Sequence, residues 1–545
     1  SVKGAIHVLS GDSEELSATQ SLGESLDGLA GVYSADYGAG VGQPVIRGMS
    51  GSRIRVLNNG KVVRDVAGIG ADHVNEVDMH NIEQIEIIRG PSSLLYANGA
   101  IGGIVNIVDN TIAREDFSES ELKIGLEAQS VNDGDGQNLS YENNLGGLNF
   151  SFAYKDSQFG NYDVPTGAIL HDEDHDEHEE HEEDMGFLSN SDFENTSMRF
   201  GLSKTGDWGY VGVSINQAES VYGIPYHGEH SDEHGDEHGD EHGDEEHEGE
   251  DHDEHEGEDH DEHEGHDEHE GERIFSTTDS DVLNLEGSYI VNNSWLKKVD
   301  YFLRDTEYSL TEQHAEEEHE GEEHGDEHHD EGPTVFSNDS TEYGAIFDIS
   351  SSDYSQKVSL NIATEDVSIL GHEAFMNPTA SDEFTMGYYL ASETDALRWD
   401  IAVRHDRIRR KGSITHMEHH DEDHDEDHDE DHDEDHGDDH DDDHGDEHEG
   451  EMEYFDRDFS GTSAALSMSK DLNNEVSVNV TTSIVERAPS AVELFMNGAH
   501  LATGKFEVGD VNLKSEVSTG FDVSVNYEKD DTFAVLSIFS TNVDD

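Results

Sequence analysis

The chain has 545 residues, 32% of them hydrophobic, and its formal net charge is −101. This length exceeds one ordinary domain, so we expect at least two folded units. The absence of cysteine excludes disulfides and thiolate metal sites, and so negative a field disfavours nucleic acid as a partner.

The negative charge is concentrated in four tracts, at residues 171–184, 227–272, 314–331 and 416–451. Together they hold 67 of the 130 acidic residues, 31 of the 37 histidines and no lysine or arginine. The rest of the chain carries 63 acidic against 29 basic residues, as an ordinary acidic protein does. We therefore expect a folded body that carries four strongly anionic insertions, disordered when no metal is bound.

Residues 1–112 are predicted to form a small mixed α/β domain. Residues 14–29 have helical spacing. Short apolar segments between glycine-rich turns predict strands, and they lie at 44–46, 53–57, 82–89 and 104–108.

Residues 113–545 are predicted to form a transmembrane antiparallel β-barrel. No run of about 18 apolar residues occurs, which excludes a transmembrane helix but not a barrel. From about residue 121 onward, segments of 9–15 residues alternate apolar and polar side chains, for example at 476–480 and 533–538. We count roughly 15 such strands.

The lengths of the connections between these strands provide an independent check of the predicted barrel. With the first strand at 121–130, the short turns near 146, 206, 293, 353, 394, 472 and 529 all fall on one side. The long connections, including all four tracts, fall on the other side. Short periplasmic turns opposite long external loops are typical of outer-membrane barrels.

The four tracts point to metal collection. Each imidazole stands between carboxylates, and this mixture of nitrogen and oxygen ligands suits zinc, nickel, cobalt or copper better than calcium or magnesium. We expect a low-affinity antenna that concentrates cations at the barrel mouth. The alternatives are a solvated surface repeat without a specific role and a calcium-binding repeat, although calcium does not need histidine.

Several motifs in the N-terminal domain resemble the plug domain of TonB-dependent outer-membrane receptors. They are QPVIRG at 43–48, RIRVL at 53–57, IEIIRGP at 85–91, SSLLY at 92–96 and GGIVNI at 102–107. The resemblance implies a plug inside the lumen of a barrel of about 22 strands in the outer membrane of a Gram-negative bacterium. It also implies contact with outer-membrane lipid, and energy supplied by the inner-membrane TonB–ExbB–ExbD complex.

The sequence departs from that pattern at both ends. No TonB box or signal sequence is evident before Ser1, and the chain stops at Asp545, inside what reads as strand 15. We expect further strands beyond this point to be needed to close the barrel.

Within this family the chain is most similar to zinc-uptake receptors. The likeness runs through residues 71–73, 222–225, 486–494, 500–503 and 506–509. It implies a discrete zinc site where the plug meets external loops. Its expected ligands are Asp72 and His73 of the plug, His500 after strand 13 and, as a fourth, Glu373, with the adjacent His372 as the alternative to Glu373. A candidate relay site comprises His227, Glu229 and His230.

The predicted function is TonB-dependent import of a divalent transition metal, with zinc as the transported ion. No nucleophile–base pair or phosphate loop is visible, so we expect a transporter and not an enzyme. Two alternatives stay open. One is a TonB-dependent receptor for a metal chelate or haem, and the other is a surface protein that sequesters metal without passing it inward.

Overall fold

A computed structural model describes residues 5–11, 20–38, 40–165, 186–225, 273–291, 293–314, 332–371, 374–394, 397–416, 451–529 and 532–544. Predicted residues that lie outside these ranges are Glu373, His227, Glu229 and His230, together with nearly all of the four tracts.

The N-terminal part is a small domain, here called the plug, with a five-stranded sheet at its centre. Its elements are β1 (Ala5–Ser10), α1 (Leu22–Leu26), β2 (Val32–Asp36), β3 (Gly42–Ile46), β4 (Ile54–Asn58), β5 (Lys61–Val62), β6 (Gln84–Ile88) and β7 (Gly103–Val108). The sheet order is β1-β6-β7-β4-β5, while β2 and β3 form a separate antiparallel pair. Every residue of β7 is buried, including the polar Asn106, whose side chain donates to Glu86 at 2.9 Å.

The described helix is shorter than the 14–29 segment predicted from helical spacing. It begins after Ser21, whose hydroxyl accepts a hydrogen bond from the Glu24 N–H at 3.2 Å, and it ends at Leu26. Gly28 and Gly31 follow with φ of +88° and +77°, a backbone conformation that cannot continue a right-handed helix. Residues 12–19 lie outside the described part.

Fifteen further strands form one antiparallel sheet in which each strand pairs with its neighbours in sequence. The first thirteen are β8 (Glu121–Gln129), β9 (Gly134–Asn144), β10 (Asn149–Phe159), β11 (Phe193–Gly206), β12 (Gly209–Gly223), β13 (Ile274–Ile290), β14 (Lys298–His314), β15 (Thr334–Asp348), β16 (Ser355–Leu370), β17 (Thr379–Glu393), β18 (Arg398–His416), β19 (Glu451–Asp471) and β20 (Val476–Arg487). A connection with α2 (Ala491–Phe495), β21 (Asn497–His500) and β22 (Lys505–Val508) precedes β23 (Glu516–Lys529) and β24 (Thr532–Asp544). The predicted count of roughly 15 strands is confirmed.

Side chains alternate across this sheet as a membrane barrel requires. Along β13, Leu283 and Leu285 are 43% and 42% exposed on the outer face, while Ser280 and Asn284 are buried on the inner face. Apolar groups therefore face lipid, and polar groups face the plug. Among the described residues, no helix is long and apolar enough to cross a membrane.

The predicted sidedness of the connections is confirmed. The strand ends that flank the short connections 145–148, 207–208, 291–297, 349–354, 394–397, 472–475 and 530–531 share one side of the sheet. The described strand ends that flank the four tracts lie on the other side of the sheet, as do the strand ends that flank 371–378 and 488–515. The strands reach 21 residues in β19, longer than the predicted maximum of 15, because pairing continues beyond the roughly 9–11 residues that cross the bilayer.

The plug lies against the inner face of the sheet and is held there by ion pairs. Arg47 of the plug pairs with Asp522 of β23. On the opposite part of the sheet, Arg199 of β11 lies 3.0 Å from Asp78 and 3.5 Å from Asp109 of the plug. These contacts hold the plug against two separate parts of the sheet.

Candidate metal centre

Asp72 and His73 lie in a plug segment without strands. This segment, residues 63–83 between β5 and β6, is here called the metal loop. The Gln43 side-chain amide nitrogen lies within hydrogen-bonding distance of the carbonyl oxygens of Ala67, Gly70 and His73, at 2.9, 2.8 and 2.9 Å. A buried amide from β3 therefore fixes the backbone on both sides of Asp72.

His500 ends β21, in the external connection that follows β20. The hairpin of β21 and β22 pairs His500 with Lys505. Its position is fixed from two directions, because the Asn497 N–H donates to the Phe375 carbonyl at 2.8 Å and the hydroxyl of Tyr37 in the plug donates to the Ala502 carbonyl. The hairpin is thus held over the plug.

These elements bring Asp72, His73 and His500 together. Asp72 lies between the two imidazoles, with Oδ2 3.2 Å from His73 Nε2 and Oδ1 3.3 Å from His500 Nε2. One ligand atom from each residue lies within 4.8 Å of the other two. The three residues are 1%, 0% and 2% exposed, so the site is closed to bulk water.

A hydrogen bond to the His73 ring determines which of its nitrogens is free to bind a metal. His73 Nδ1 lies 3.1 Å from the Val66 carbonyl oxygen, which assigns the proton to Nδ1. The lone pair of Nε2 then points toward Asp72. On the other ring, His500 Nδ1 lies 3.8 Å from Glu507 Oε1, so a carboxylate stands behind His500. Partners of this kind orient histidine ligands in metal sites.

The polar atoms through which Asp72, His73 and His500 face one another are buried and lack hydrogen-bond partners in the described part of the chain. Both carboxylate oxygens of Asp72, Nε2 of His73 and Nε2 of His500 make no hydrogen bond of acceptable geometry within the described part of the chain. Leaving buried polar atoms unpaired is costly. A cation bound between them would satisfy all of these atoms at once.

Burial and neighbouring charges shift the pKa values of Asp72, His73 and His500. Burial raises the pKa of Asp72, but the imidazoles of His73 and His500 outweigh it and lower that pKa to about 2. Burial lowers the pKa of His73, and Asp72 offsets this only in part, so this ring is neutral near pH 7. Burial also lowers the pKa of His500, yet the carboxylates of Asp72 and Glu507 prevail and raise it to about 10. In the metal-free centre near pH 7, Asp72 is therefore ionised, His73 is neutral with its proton on Nδ1, and His500 is a cation protonated on both ring nitrogens.

Aromatic rings and a glycine shape the space around the ligands. Phe375 stacks on His500 with centroids 4.5 Å apart, and Phe336 meets His73 edge-on at 4.7 Å. A Cβ atom added at Gly70 would lie 2.3 Å from Asp72 Oδ1 and 2.5 Å from His500 Cε1. Only glycine at position 70 leaves room for both ligands.

Three of the four predicted ligands thus come together, and their role in binding a metal stays a prediction. Glu373 lies outside the described residues, as do His227, Glu229 and His230 of the predicted relay site. Sequence reasoning missed Gln43, Gly70 and Glu507. The position of Glu507 could have been predicted from the hairpin. The pairs His500–Lys505 and Gly498–Glu507 place Glu507 diagonally next to His500 on the same face of the hairpin.

Comparison with known proteins places both parts of the chain in one family. The profile described as TonB-dependent Receptor Plug Domain matches residues 1–104. The profile described as TonB dependent receptor-like, beta-barrel matches residues 96–545. A curated relative, the vitamin B12 transporter BtuB of Photobacterium profundum, is 36% identical over 98 residues. That match spans only 17% of this chain and 16% of the transporter.

Solved structures share the fold across almost the whole chain. The copper transporter OprC has a TM-score of 0.67 at 13% identity, over 98% of this chain and 72% of that one. The hemophore receptor HasR of Serratia marcescens, in complex with its hemophore HasA and heme, has a TM-score of 0.66 at 12% identity. This match covers 99% of this chain and 73% of HasR. The FrpB iron transporter of Neisseria meningitidis (F3-3 variant) has a TM-score of 0.62 at 12% identity, over 99% and 73%. Such low identities show a common fold only.

Proposed function

This chain belongs to the family of TonB-dependent outer-membrane receptors, and from that premise we propose that it imports a divalent transition metal, with zinc as its ion. The specific likeness to the zinc-uptake receptor ZnuD is part of this proposal. So is the coupling to the inner-membrane TonB–ExbB–ExbD complex.

The observation that carries the proposal is the meeting of Asp72, His73 and His500. A carboxylate and two imidazoles offer ligand atoms within 4.8 Å of one another, and all three side chains are buried. Two of the ligands belong to the plug and one to an external connection. A cation held there bridges two parts of the receptor that must separate for the ion to pass.

The donor set favours zinc over harder cations. Imidazole nitrogen with carboxylate oxygen is a common zinc environment, whereas calcium and magnesium prefer oxygen alone. Glu373 is our proposed fourth ligand, which would complete a tetrahedral shell. Copper binds such donors more tightly than zinc in the usual affinity order, so selectivity for zinc must come from geometry and supply.

The proposed import begins at the external tracts. Their carboxylates attract cations and their imidazoles bind them weakly, and the relay residues His227, Glu229 and His230 pass them inward. The ion then loses water and binds between Asp72, His73 and His500. Force from the energy complex moves the plug, which parts the two plug ligands from His500 and frees the ion toward the periplasm.

Uptake in cells tests this proposal. Radiolabelled zinc would be supplied at a growth-limiting concentration to cells. The cells would produce the wild-type receptor, the His73→Ala/His500→Ala variant or the control variant His405→Ala. His405 is an exposed histidine of β18 whose ring contacts Thr462 at 3.0 Å, away from the site. We expect TonB-dependent uptake in the wild type and the control and its loss in the double variant.

The same assay separates the alternatives. Uptake that requires an added metal chelate, or uptake of haem in place of free zinc, would favour a chelate or haem receptor. Zinc that binds cells without TonB-dependent internalisation would favour surface sequestration. Either result would overturn the import of free metal.

A further inference from the structure

The metal loop is fastened to the barrel wall at its beginning. Arg64, two residues after the end of β5, is buried, and its guanidinium lies against carboxylates from three consecutive strands. Nη1 lies 3.1 Å from Glu365 of β16, Nη2 lies 3.2 Å from Glu383 of β17 and Nε lies 4.0 Å from Glu342 of β15. One plug side chain therefore spans three strands of the wall.

Further arginines lie close to the carboxylates that contact Arg64. Arg410 of β18 lies 3.2 Å from the second oxygen of Glu383. Asn98 donates to Glu383 at 3.4 Å and accepts from Arg55 at 3.1 Å. Arg55, Arg64 and Arg410 therefore lie near three glutamates, and the buried Arg304 of β14 lies near Glu342 as well. Because removing one member of such a buried set leaves an unpaired charge, the set resists separation.

Hydrogen bonds continue from this cluster into the metal loop. The Asn338 side-chain amide donates to Glu365 at 3.0 Å and to the Asp65 carbonyl at 2.8 Å. The Asp65 carboxylate accepts from the N–H groups of Ala67 and Glu76, at 3.1 and 3.0 Å. Asp65 therefore closes the part of the loop that contains both plug ligands.

The metal loop also contacts the predicted ligand His73 directly. Val66, two residues after Arg64, supplies the carbonyl that lies 3.1 Å from His73 Nδ1. We propose that Arg64 is a positioning residue for the metal site, whose contacts with Glu365 and Glu383 hold the metal loop where Asp72 and His73 face His500. This inference rests on the proposed metal-binding function.

The consequence is a link between plug position and metal affinity. His500 belongs to the barrel side, so the site is complete only while the metal loop keeps its place on the wall. Contacts that orient ligands from behind typically contribute roughly 10- to 100-fold to metal affinity. A plug movement that withdraws Arg64 from its carboxylates would therefore also part the ligands and release the ion.

A second buried ion pair between plug and wall supplies the matched control. Lys61 of β5 pairs with Glu286 of β13, and Arg114 lies 3.4 Å from the other oxygen of Glu286. Lys61→Gln leaves Glu286 with a cationic neighbour and removes one plug–wall pair outside the metal loop. It reports what general loosening of the plug does to metal binding.

The experiment compares Arg64→Lys, Glu365→Gln and Lys61→Gln in the purified receptor. The dissociation constant and dissociation rate of Zn²⁺ would be measured by competition with a chelating dye, and metal-free thermal unfolding would be recorded for each variant. We expect Arg64→Lys and Glu365→Gln to weaken zinc binding about 10-fold or more, mainly through faster dissociation, and Lys61→Gln to leave it unchanged. Glu365→Gln keeps the side-chain shape, so it stands as the second test if Arg64→Lys does not fold.

Two results would overturn the positioning role: unchanged zinc affinity in both Arg64→Lys and Glu365→Gln, or an equal loss in Lys61→Gln. A His73→Ala variant in the same series keeps the two hypotheses apart. If His73→Ala loses zinc while Arg64→Lys and Glu365→Gln do not, the metal site stands and only the role of Arg64 fails. If the wild type itself shows no zinc site, the proposed function fails and the positioning role fails with it.

Discussion

Asp72 Oδ1 of the plug lies 3.3 Å from His500 Nε2 of an external connection, and both side chains are buried. This contact joins two parts of the receptor at one point. Both groups are good ligands for a transition metal, and neither has a hydrogen-bond partner of acceptable geometry for these atoms within the described chain. The following predictions test what that arrangement does.

Substitution at Gly70 tests how closely the ligands are confined. A Cβ in Gly70→Ala would overlap Asp72 Oδ1 and the His500 ring, so the ligands must shift apart. We expect zinc affinity to fall at least about tenfold, as measured by dye competition. Gly68→Ala is the matched control, since a Cβ there meets nothing within 4 Å. Equal affinity in the two variants would contradict the described geometry.

Glu507 is expected to orient His500 from behind. In Glu507→Gln the charge near His500 Nδ1 is lost while the side-chain size is kept, so we expect zinc to bind roughly 10-fold more weakly. The control Glu528→Gln changes an exposed glutamate near the end of β23. Zinc affinity that is unaffected by Glu507→Gln would show that this carboxylate is a bystander.

Proton release should accompany metal binding. The pKa of His500 is raised to about 10, so this ring is protonated in the free site near neutral pH, whereas a metal ligand must be deprotonated. His73 is already neutral and Asp72 already ionised. We therefore expect release of about one proton per zinc ion near pH 7, and affinity that rises about tenfold per pH unit below the His500 pKa. Calorimetry in buffers of different ionisation enthalpy measures the release, and a value of zero would show that His500 is neutral in the free receptor.

The four tracts are expected to matter only when metal is scarce. Their deletion should lower zinc uptake at limiting zinc and leave it near normal in excess, because a weak antenna raises local concentration without forming the final site. A variant in which every tract histidine is replaced by asparagine keeps length and acidity and isolates the imidazole contribution. Unchanged uptake at scarcity after deletion would rule out the antenna.

The barrel was predictable from sequence because its signal is local. Alternation with period two marks each strand, and short turns such as that between β19 and β20 mark the periplasmic side. Strand ends were less predictable, since pairing of β18 with β19 continues well beyond the length that crosses a membrane. Within 14–29, the described residues are helical only at Leu22–Leu26, because spacing alone does not register the extended backbone at Asp27 and the left-handed backbone at Gly28.

The site was predictable only in part, for a different reason. Asp72, His73 and His500 came from a resemblance to zinc-uptake receptors, since nothing in local spacing brings His500 to the plug. The residues behind the ligands depend on tertiary contacts. Gln43 reaches the metal loop from β3, and Arg64 meets carboxylates on three barrel strands. No sequence pattern encodes these distances.

The most direct test of the central claim is isothermal titration of the purified receptor with Zn²⁺, in the wild type and in the His73→Ala/His500→Ala variant, with His405→Ala as control. Nickel, cobalt, manganese and copper(I) would be titrated in the same buffer. We predict one tight zinc site in the wild type and the control that disappears in the double variant while weaker sites remain. Tight zinc binding that persists unchanged in the double variant would contradict the account.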